Sequence, residues 1–313
     1  MPRLSKTLDG PRLWFKRDDC TGLAFGGNKE RKAEFVIADA LQKNADIVIT
    51  TGAVQSNHTR ATAAAARKVG LKAVLILQGE KPETYDGNLL LDYLLGTDIR
   101  FVSVDWREVG SIVNETARKL EQEGHTPYII PSGASYSVGA VAYANAMLEM
   151  LTQAQEIGFK INHVVHAVGS GGTQAGLVLT NKMLNSQVGV YGICVEEDGD
   201  WLIKKTVKIA NATSNLLGIS VNVQSKDVNV IEGYAGKAYG TATPECMEAI
   251  KLVAQTEGIL LDPVYTSKAM AGLIDMVRCN RFKKDENVVF IHTGGTPALF
   301  PYKQQLVQGI VEH

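Results

Sequence analysis

Short apolar runs alternate with longer segments of mixed apolar and polar residues along almost the whole chain. The apolar runs are rich in Val and Ile, which favour β-strands. We predict strands at 46–50, 72–77, 99–104, 127–131, 163–169, 189–195 and 287–293. Because each strand is followed by a helical pattern, we predict an α/β fold with open, twisted parallel sheets that carry helices on both faces.

The segments between these runs have the spacing of amphipathic helices. We predict helices at 29–44, 58–69, 87–95, 106–123 and 138–156. Three of them are followed by a glycine (Gly70, Gly96 or Gly124), a residue that accepts the left-handed conformation just beyond a helix end. The long helix near 138–156 separates two sets of strand–helix units, so we expect two lobes in close contact.

The composition is that of an ordinary globular protein. Of 313 residues, 45% are hydrophobic and 21% charged, with a formal net charge of −1. Nothing in this balance favours a nucleic acid or an anionic membrane surface as a partner. No apolar run reaches the roughly 18 residues that span a bilayer. The first ten residues also lack the apolar run of a signal peptide, so we expect a cytoplasmic protein.

Cysteines and histidines do not suggest a metal site. Cys20, Cys194, Cys246 and Cys279 lie far apart and form no CxxC pair, so we expect reduced thiols packed in the core. His58 and His292 have no partner at metal-ligand spacing, and we predict no metal ion.

Three loops stand where chemistry is expected. In open α/β sheets, ligands bind beyond the carboxyl ends of the strands. The segments 51–58 (TGAVQSNH), 168–176 (VGSGGTQAG) and 292–300 (HTGGTPALF) each follow a predicted strand. We therefore expect the functional site where these loops meet.

The glycine-rich segment Gly169–Thr173 (GSGGT) lies between a strand and a helix and is suited to an anion. Glycines let the backbone come close, and the N–H groups at a helix start favour a phosphate. The segment lacks the Lys of a P-loop, and Gln174 stands where a dinucleotide loop needs its last glycine. Glu196 nevertheless ends the next strand, as a ribose-binding acid would, so a nicotinamide-dependent oxidoreductase stays open as an alternative.

Lys29 follows Gly26, Gly27 and Asn28 at the start of a predicted helix. We expect Asn28 to be the N-cap, which places Lys29 in the first turn. The positive end of the helix dipole disfavours an ammonium there, and a neutral amine is what a nucleophilic lysine needs. The alternative is that residues 29–32 (KERK) form only a solvated charged face.

Further polar and aromatic residues stand at the starts of other helices. Ser56 and Asn57 follow a strand directly, where backbone amides and an amide side chain are available to a ligand. Asn57 as a simple helix cap is the alternative. Tyr239 and Tyr265 each lie at a loop-to-helix transition, where aromatic residues more often serve packing.

Together these segments resemble the fold-type II pyridoxal-phosphate (PLP) enzymes. More narrowly, the chain is similar to the family that contains D-cysteine desulfhydrase and 1-aminocyclopropane-1-carboxylate (ACC) deaminase. Five segments occur in family order over nearly the whole chain, namely KRDDCTGLAFGGNK, GAVQSNH, GSGGTQAGL, EGILLDPVYTSKAMAGL and FIHTGGTPALF. The resemblance implies pyridoxal 5'-phosphate as cofactor, a small amino acid as substrate and a homodimer. We expect residues 1–33 and 144–313 to form a large cofactor-binding domain and 34–143 a small domain.

The resemblance also implies roles for individual residues. Lys29 matches the lysine that binds the cofactor covalently and then acts as general base. Asn57 matches the residue bonded to the phenolic oxygen, and Ser56 the one near the substrate carboxylate. The phosphate cradle matches Gly169, Ser170, Gly171, Gly172 and Thr173, and the two tyrosines that flank the substrate match Tyr239 and Tyr265.

Thr266 is informative about the reaction. ACC deaminases resemble DPVYEGK at this point, with a glutamate that faces the pyridine nitrogen, whereas D-cysteine desulfhydrases resemble DPVYTGK. This chain has DPVYTSK. Either Thr266 or Thr293 is then expected near the ring nitrogen. A hydroxyl does not hold that nitrogen protonated, which suits the expulsion of a β-substituent.

The resemblance thus favours β-elimination from D-cysteine, which yields pyruvate, hydrogen sulfide and ammonia. L-Cysteate sulfo-lyase and ACC deaminase activities remain alternatives within the same family. From other classes, a nicotinamide-dependent oxidoreductase and a non-catalytic PLP-binding protein remain open.

Overall fold

The computed structural model describes residues 1–195, 198–237 and 240–311. The strands within these ranges are β1 (Arg12–Arg17), β2 (Ile47–Ala53), β3 (Lys72–Gln78), β4 (Asp98–Val102), β5 (Pro127–Ile130), β6 (His163–Val168), β7 (Gly189–Cys194), β8 (Asn229–Ile231) and β9 (Asn287–His292). The helices are α1 (Pro2–Thr7), α2 (Asn28–Gln42), α3 (Asn57–Lys68), α4 (Gly87–Leu94), α5 (Trp106–Gln122), α6 (Ser137–Ile157), α7 (Gly172–Leu184), α8 (Gly199–Leu216), α9 (Pro244–Glu257), α10 (Thr266–Arg278) and α11 (Lys303–Val311).

The strands form two parallel sheets. The larger has the order β1-β9-β6-β7-β8 and the smaller the order β4-β3-β2-β5. All strand pairs in both sheets are parallel, which confirms the predicted α/β class. The chain begins in the larger sheet with β1, builds the smaller sheet from β2 to β5, and returns at β6. The domain limits at 33–34 and 143–144 stay a prediction.

Most predicted elements are present within a few residues of their expected limits. Gly70, Gly96 and Gly124 take positive φ angles of 82°, 64° and 87°, as expected beyond helix ends. We did not predict β1 or β8. The sequence of β1, RLWFKR, mixes charged and aromatic residues, and it becomes a strand by pairing with β9 from Arg12↔Asn287 to Arg17↔His292.

Helices α2 and α6 connect the cores of the two sheets to the place where the expected loops lie. In α2, Ala33, Val36 and Ile37 pack into the core of the smaller sheet, while α6 packs with β6, α7 and α8 in the core of the larger one. Gly176 allows α6 and α7 to approach closely, since a Cβ there would lie 2.4 Å from the Ala140 oxygen. Because the backbone N–H of Asn28 donates to the Thr293 oxygen just after β9, the start of α2 lies where the two sheets meet.

Two structural findings concern the expected absences. Across the described ranges, no helix is long and apolar enough to cross a membrane. In the same ranges, no group of three or more metal-ligating side chains is found.

The expectation that all four cysteines pack in the core was half wrong, because Cys194 and Cys246 are buried but Cys20 and Cys279 are exposed. Both exposed thiols lie at short turns on the surface, next to Asp19 and Asp275.

Candidate active site

A cavity of about 600 Å³ opens at the carboxyl ends of strands from both sheets. Its walls come from the loops after β2, β5, β6 and β9, from the end of β3, and from the starts of α2, α5 and α8. The predicted site residues that line it are Lys29, Ser56, Asn57, Gly169, Ser170, Gly171, Thr173, Tyr265 and Thr293. The three loops that we expected to meet therefore do meet in one cavity.

Lys29 lies in the first turn of α2 and faces this cavity. The N-cap is Gly27 and not Asn28, so that prediction was wrong. Gly27 has a φ of 123°, and a Cβ there would lie 2.9 Å from the Thr293 oxygen, so only glycine fits. Asn28 instead donates from its backbone to the Thr293 oxygen at 3.0 Å and from its side chain to Thr173 at 3.1 Å. The start of α2 is thereby fastened to the loops after β9 and β6.

Lys32 is a functional candidate that we did not predict. It follows Lys29 by one helical turn, is fully buried, and donates to the Gly133 oxygen at 3.1 Å and to Ser135 Oγ at 3.3 Å. Burial, and then the charge of Lys29, lower the pKa of Lys32 well below its ordinary value. With Glu30 also buried, residues 29–32 are not a solvated charged face. The spacing of three residues along a helix was the available signal.

The glycine-rich loop follows β6 and leads into α7. Its N-cap, Gly171, has a φ of 80°, and no side chain caps the helix. A Cβ on Gly172 would lie 2.8 Å from Ser135 Oγ and 2.9 Å from Lys32 Nζ. Ser135 and Ser170 are joined by a 2.6 Å hydrogen bond between their hydroxyls. The loop therefore offers glycine backbone, two hydroxyls and a buried amine around one small space.

Ser56 and Asn57 form the start of α3. Ser56 is the N-cap, and its Oγ accepts from the backbone N–H groups of His58 at 3.2 Å and Thr59 at 3.4 Å. The cap is thus Ser56 and not Asn57, which removes the alternative in which Asn57 serves only as a cap. Asn57 accepts from the side chain of Asn88 at 3.0 Å and lines the cavity.

The two threonines expected near a ring nitrogen differ in position. Thr293 lines the cavity directly after β9. Thr266 is fully buried at the start of α10, where its hydroxyl lies 2.6 Å from Asp262 Oδ1 and accepts from the Asp262 N–H at 2.8 Å. It is not among the lining residues. The Thr266 hydroxyl therefore forms its hydrogen bonds with Asp262, within the turn that starts α10.

His292 and His58 are structural. His292 Nδ1 accepts from the Gly294 N–H at 3.2 Å, so the 2.9 Å contact of Nε2 with the Leu260 oxygen is a donated hydrogen bond. His58 Nε2 lies 2.7 Å from Thr50 Oγ1. Burial, and then the charges of Lys29 and Lys32, lower the pKa of His58 well below its ordinary value. Both imidazoles hold loops at the cavity edge.

The tyrosines are only partly described. Tyr265 lines the cavity and precedes α10, with its backbone N–H donating to Asp262 Oδ2 at 2.9 Å. Tyr239 and Glu196 lie outside the described residues. At the outer rim, Trp106 and Trp201 contribute half-exposed rings, and Lys205 Nζ lies 4.2 Å above the ring of Trp201.

Gln174 shows why the glycine loop is not a dinucleotide loop. It is fully buried, contacts His166 Nε2, and donates to the Asn229 oxygen at 2.9 Å. A Cβ on Gly192 would lie 2.4 Å from Gln174 Oε1. The side chain thus ties β6, β7 and β8 together beneath the loop, where a dinucleotide loop has a glycine.

The residues present fit a phosphate-bearing pyridoxal cofactor. The uncapped start of α7, the glycines of residues 169–172 and the buried amine of Lys32 suit a phosphate. The space beside Gly172 is one that a single Cβ would fill. Lys29 faces the same cavity and supplies the amine that a pyridoxal aldehyde needs.

Comparisons with known proteins agree with this fit. The family model described as pyridoxal-phosphate dependent enzyme matches residues 1–294. D-Cysteine desulfhydrase of Klebsiella pneumoniae is 44% identical, over 98% of this chain and 93% of that protein. A Pyrococcus abyssi protein, provisionally named a 1-aminocyclopropane-1-carboxylate deaminase, is 44% identical over 99% of this chain and 92% of that protein.

A solved structure agrees as well. The crystal structure of an ACC deaminase homologue has a TM-score of 0.91 at 40% identity, with 99% of this chain and 92% of that chain covered. The alternative of a nicotinamide-dependent oxidoreductase was therefore wrong. The chain belongs to the family of pyridoxal-phosphate-dependent enzymes, and pyridoxal 5'-phosphate is its cofactor.

Proposed function

We propose that the protein is a β-elimination lyase that converts D-cysteine to pyruvate, hydrogen sulfide and ammonia. One observation carries the proposal: among the described lining residues there are two lysines and no acidic side chain. A carboxylate beside the ring nitrogen would hold it protonated, whereas Thr293, which lines the cavity, would offer a neutral hydroxyl there. That environment suits the departure of a β-substituent, and the desulfhydrase relative supports the choice of D-cysteine.

Four groups of residues would hold the cofactor. Residues 169–173 and Lys32 would bind the phosphate, Asn57 the phenolic oxygen, Thr293 the ring nitrogen, and Lys29 the aldehyde carbon. When bound, pyridoxal phosphate acts as an electron sink for the bonds at the α-carbon of an amino acid.

Lys29 is the proposed general base. Its Nζ lies within 3.3 Å of the position that a Cβ on Gly133 would take, beside the glycine loop. The positive end of the α2 dipole disfavours an ammonium in the first turn of this helix, where Lys29 lies. Lys29 would take the α-proton, and the bond between the β-carbon and sulfur would break with sulfur leaving as hydrosulfide. Water converts the resulting 2-aminoacrylate to pyruvate and ammonia.

Ser56 is the proposed donor to the substrate carboxylate. Its oxygen already accepts two backbone N–H groups of α3, and a hydroxyl has only two acceptor positions. Its own hydrogen must then point away from these two N–H groups, and Ser56 lines the cavity. Tyr265, and Tyr239 from outside the described residues, would orient the substrate.

A second candidate substrate is L-cysteate. Lys205 lines the outer part of the cavity, where a cation favours an anionic β-substituent such as a sulfonate. ACC fits less well, because its α-carbon carries no hydrogen for Lys29 to remove.

We also propose that the enzyme is a cytoplasmic homodimer. The dimer is supported by the family resemblance. The compartment is supported by the four cysteines, none of which forms a disulfide. Light scattering of the purified protein tests the dimer.

The deciding experiment measures pyruvate release from D-cysteine, L-cysteine, L-cysteate, β-chloro-D-alanine and ACC. We expect D-cysteine to have the highest kcat/KM, with sulfide formed in equal amount. The Lys29→Ala variant should lose turnover with every substrate. A clear preference for L-cysteate or ACC, or full activity of Lys29→Ala, would contradict the proposal.

A further inference from the structure

Asn88 clamps the loop that carries Asn57. It lies in the first turn of α4 and is fully buried. Its backbone N–H donates to Gln55 Oε1 at 2.9 Å, and its side-chain nitrogen donates to the Gln55 backbone oxygen at 3.1 Å. Gln55 donates in return to the Asp86 backbone oxygen at 3.0 Å. The loop after β2 and the start of α4 are thus joined by three hydrogen bonds.

The same side chain sets the orientation of the Asn57 amide. An amide can be turned by half a rotation with almost no change in shape, so its partners decide which end faces where. The Gln55 backbone oxygen can only accept, and it therefore requires the nitrogen of Asn88 on its side. The second hydrogen of this nitrogen points to Asn57 Oδ1 at 3.0 Å. Asn57 must then turn its own nitrogen, a donor, toward the cavity.

The packing around Asn88 supports a fixed arrangement. Asn88 Oδ1 is buried and has no hydrogen-bond partner among the described residues. The opposite orientation would be worse, because it would place this oxygen against the Gln55 backbone oxygen, which can only accept. Gly87 has a φ of 53°, and a Cβ there would lie 2.7 Å from Gln55 Oε1. Glycine at this position lets α4 begin directly against Gln55.

We propose that Asn88 is a positioning residue, which makes Asn57 a hydrogen-bond donor toward the cofactor. This rests on the proposed function in one respect, namely that Asn57 faces the phenolic oxygen of pyridoxal phosphate. Because that oxygen carries negative charge in the lysine-bound cofactor, a donor stabilises it and an amide oxygen would repel it.

The test replaces Asn88 by an isosteric residue that only accepts. In Asn88→Asp, the carboxylate opposes both former acceptors, and Asn57 has to turn its oxygen toward the cavity. We expect titration of the cofactor-free protein with pyridoxal phosphate to show roughly 10- to 100-fold weaker binding, as for loss of a hydrogen bond to a charged group. The visible absorption band of the bound cofactor should also shift. Asn88→Ala, which removes the donor without adding charge, should weaken binding by a smaller factor.

Two controls distinguish a lost orientation of the Asn57 amide from general destabilisation of the protein. Asn287→Asp makes the same chemical change at a buried amide that donates to the Lys160 oxygen at 3.0 Å, at the other end of β9 from the cavity. It should leave the affinity and the absorption band unchanged. In a double-mutant cycle, the Asn88 substitutions should have almost no effect on affinity once Asn57→Ala is present.

Opposite results would overturn the inference. If the Asn88 variants weaken cofactor binding equally with and without Asn57, the residue does not act through Asn57. Unchanged affinity and absorption in Asn88→Ala would contradict it as well. Both readouts measure cofactor binding alone, so a wrong substrate assignment leaves them valid.

Discussion

The starts of α3 and α7 face the same cavity but are completed in different ways. Both helices follow a parallel strand and present the positive end of a helix dipole. In α3, Ser56 satisfies the N–H groups of His58 and Thr59 with its own oxygen. In α7, no side chain caps the helix, and its N-cap, Gly171, lines the cavity.

The difference separates two kinds of ligand site. A helix start without a side-chain cap suits a phosphate that stays bound, since the anion takes the place of the cap. In the proposed function, Ser56 keeps its cap bonds at the start of α3 and would donate its hydroxyl hydrogen to the carboxylate of a substrate that binds and leaves. Substitutions at the two starts should therefore affect cofactor affinity and substrate affinity separately.

The largest effect is expected from Gly172→Ala in α7. The added Cβ would lie 2.8 Å from Ser135 Oγ and 2.9 Å from Lys32 Nζ, within the proposed phosphate space. Loss of two hydrogen bonds to a charged group, each about 1.5 kcal/mol, corresponds to about 100-fold weaker binding of pyridoxal phosphate. Titration of the cofactor-free protein measures this. Gly110→Ala in α5, where nothing lies within 4 Å, is the control and should bind normally. Normal pyridoxal phosphate binding by Gly172→Ala would contradict the proposal that residues 169–173 and Lys32 bind the phosphate.

The next-largest effect is expected from Lys32. Its buried amine should stabilise the bound cofactor but lower the stability of the cofactor-free protein. Because its pKa is lowered on folding, the unfolded chain binds a proton that the folded chain does not. Stability therefore falls as the pH drops below the ordinary lysine pKa. Lys32→Met should raise the melting temperature of the cofactor-free protein at neutral pH, yet weaken pyridoxal phosphate binding about 10-fold or more. Lys43→Met, at an exposed lysine of α2's C-terminal end, should do neither. A fall in stability without loss of affinity would contradict the phosphate role.

The smallest effect is expected from Ser56→Ala in α3. Loss of the cap should cost about 1 kcal/mol of stability. Loss of the donor to the substrate carboxylate should raise KM for the amino acid about 10-fold, with cofactor affinity unchanged. Ser56→Thr keeps the hydroxyl and should retain most of both. Steady-state kinetics together with cofactor titration separate the two quantities. Weaker cofactor binding in Ser56→Ala would contradict the claim that the start of α3 affects substrate affinity and not cofactor affinity.

Local features of the site could be predicted from the sequence. The glycine loop before α7 and the position of Lys29 in the first turn of α2 depend on residues within a few positions of each other. Lys32 was also within reach, because a spacing of three places it on the same helical face as Lys29. We missed it because a lysine among charged neighbours is usually solvated.

Other features depend on contacts between distant segments. The hydrogen bond between Ser135 and Ser170 joins residues 35 positions apart, and that between Asn88 and Asn57 joins residues 31 positions apart. The identity of the α2 cap was set in the same way, since Gly27 has to pass close to the Thr293 oxygen. No local pattern carries this information. The strand β1 likewise exists because β9 is beside it.

The most direct test of the central claim is to identify the lysine that carries the cofactor. Lys29 and Lys32 lie one turn apart on α2, one in the cavity and one buried behind the glycine loop. Borohydride reduction of the holoenzyme makes the bond between lysine and cofactor permanent, and peptide mapping by tandem mass spectrometry then locates it. We predict the modification on Lys29 alone. Modification of Lys32, or of a lysine outside α2, would contradict the assignment of both residues.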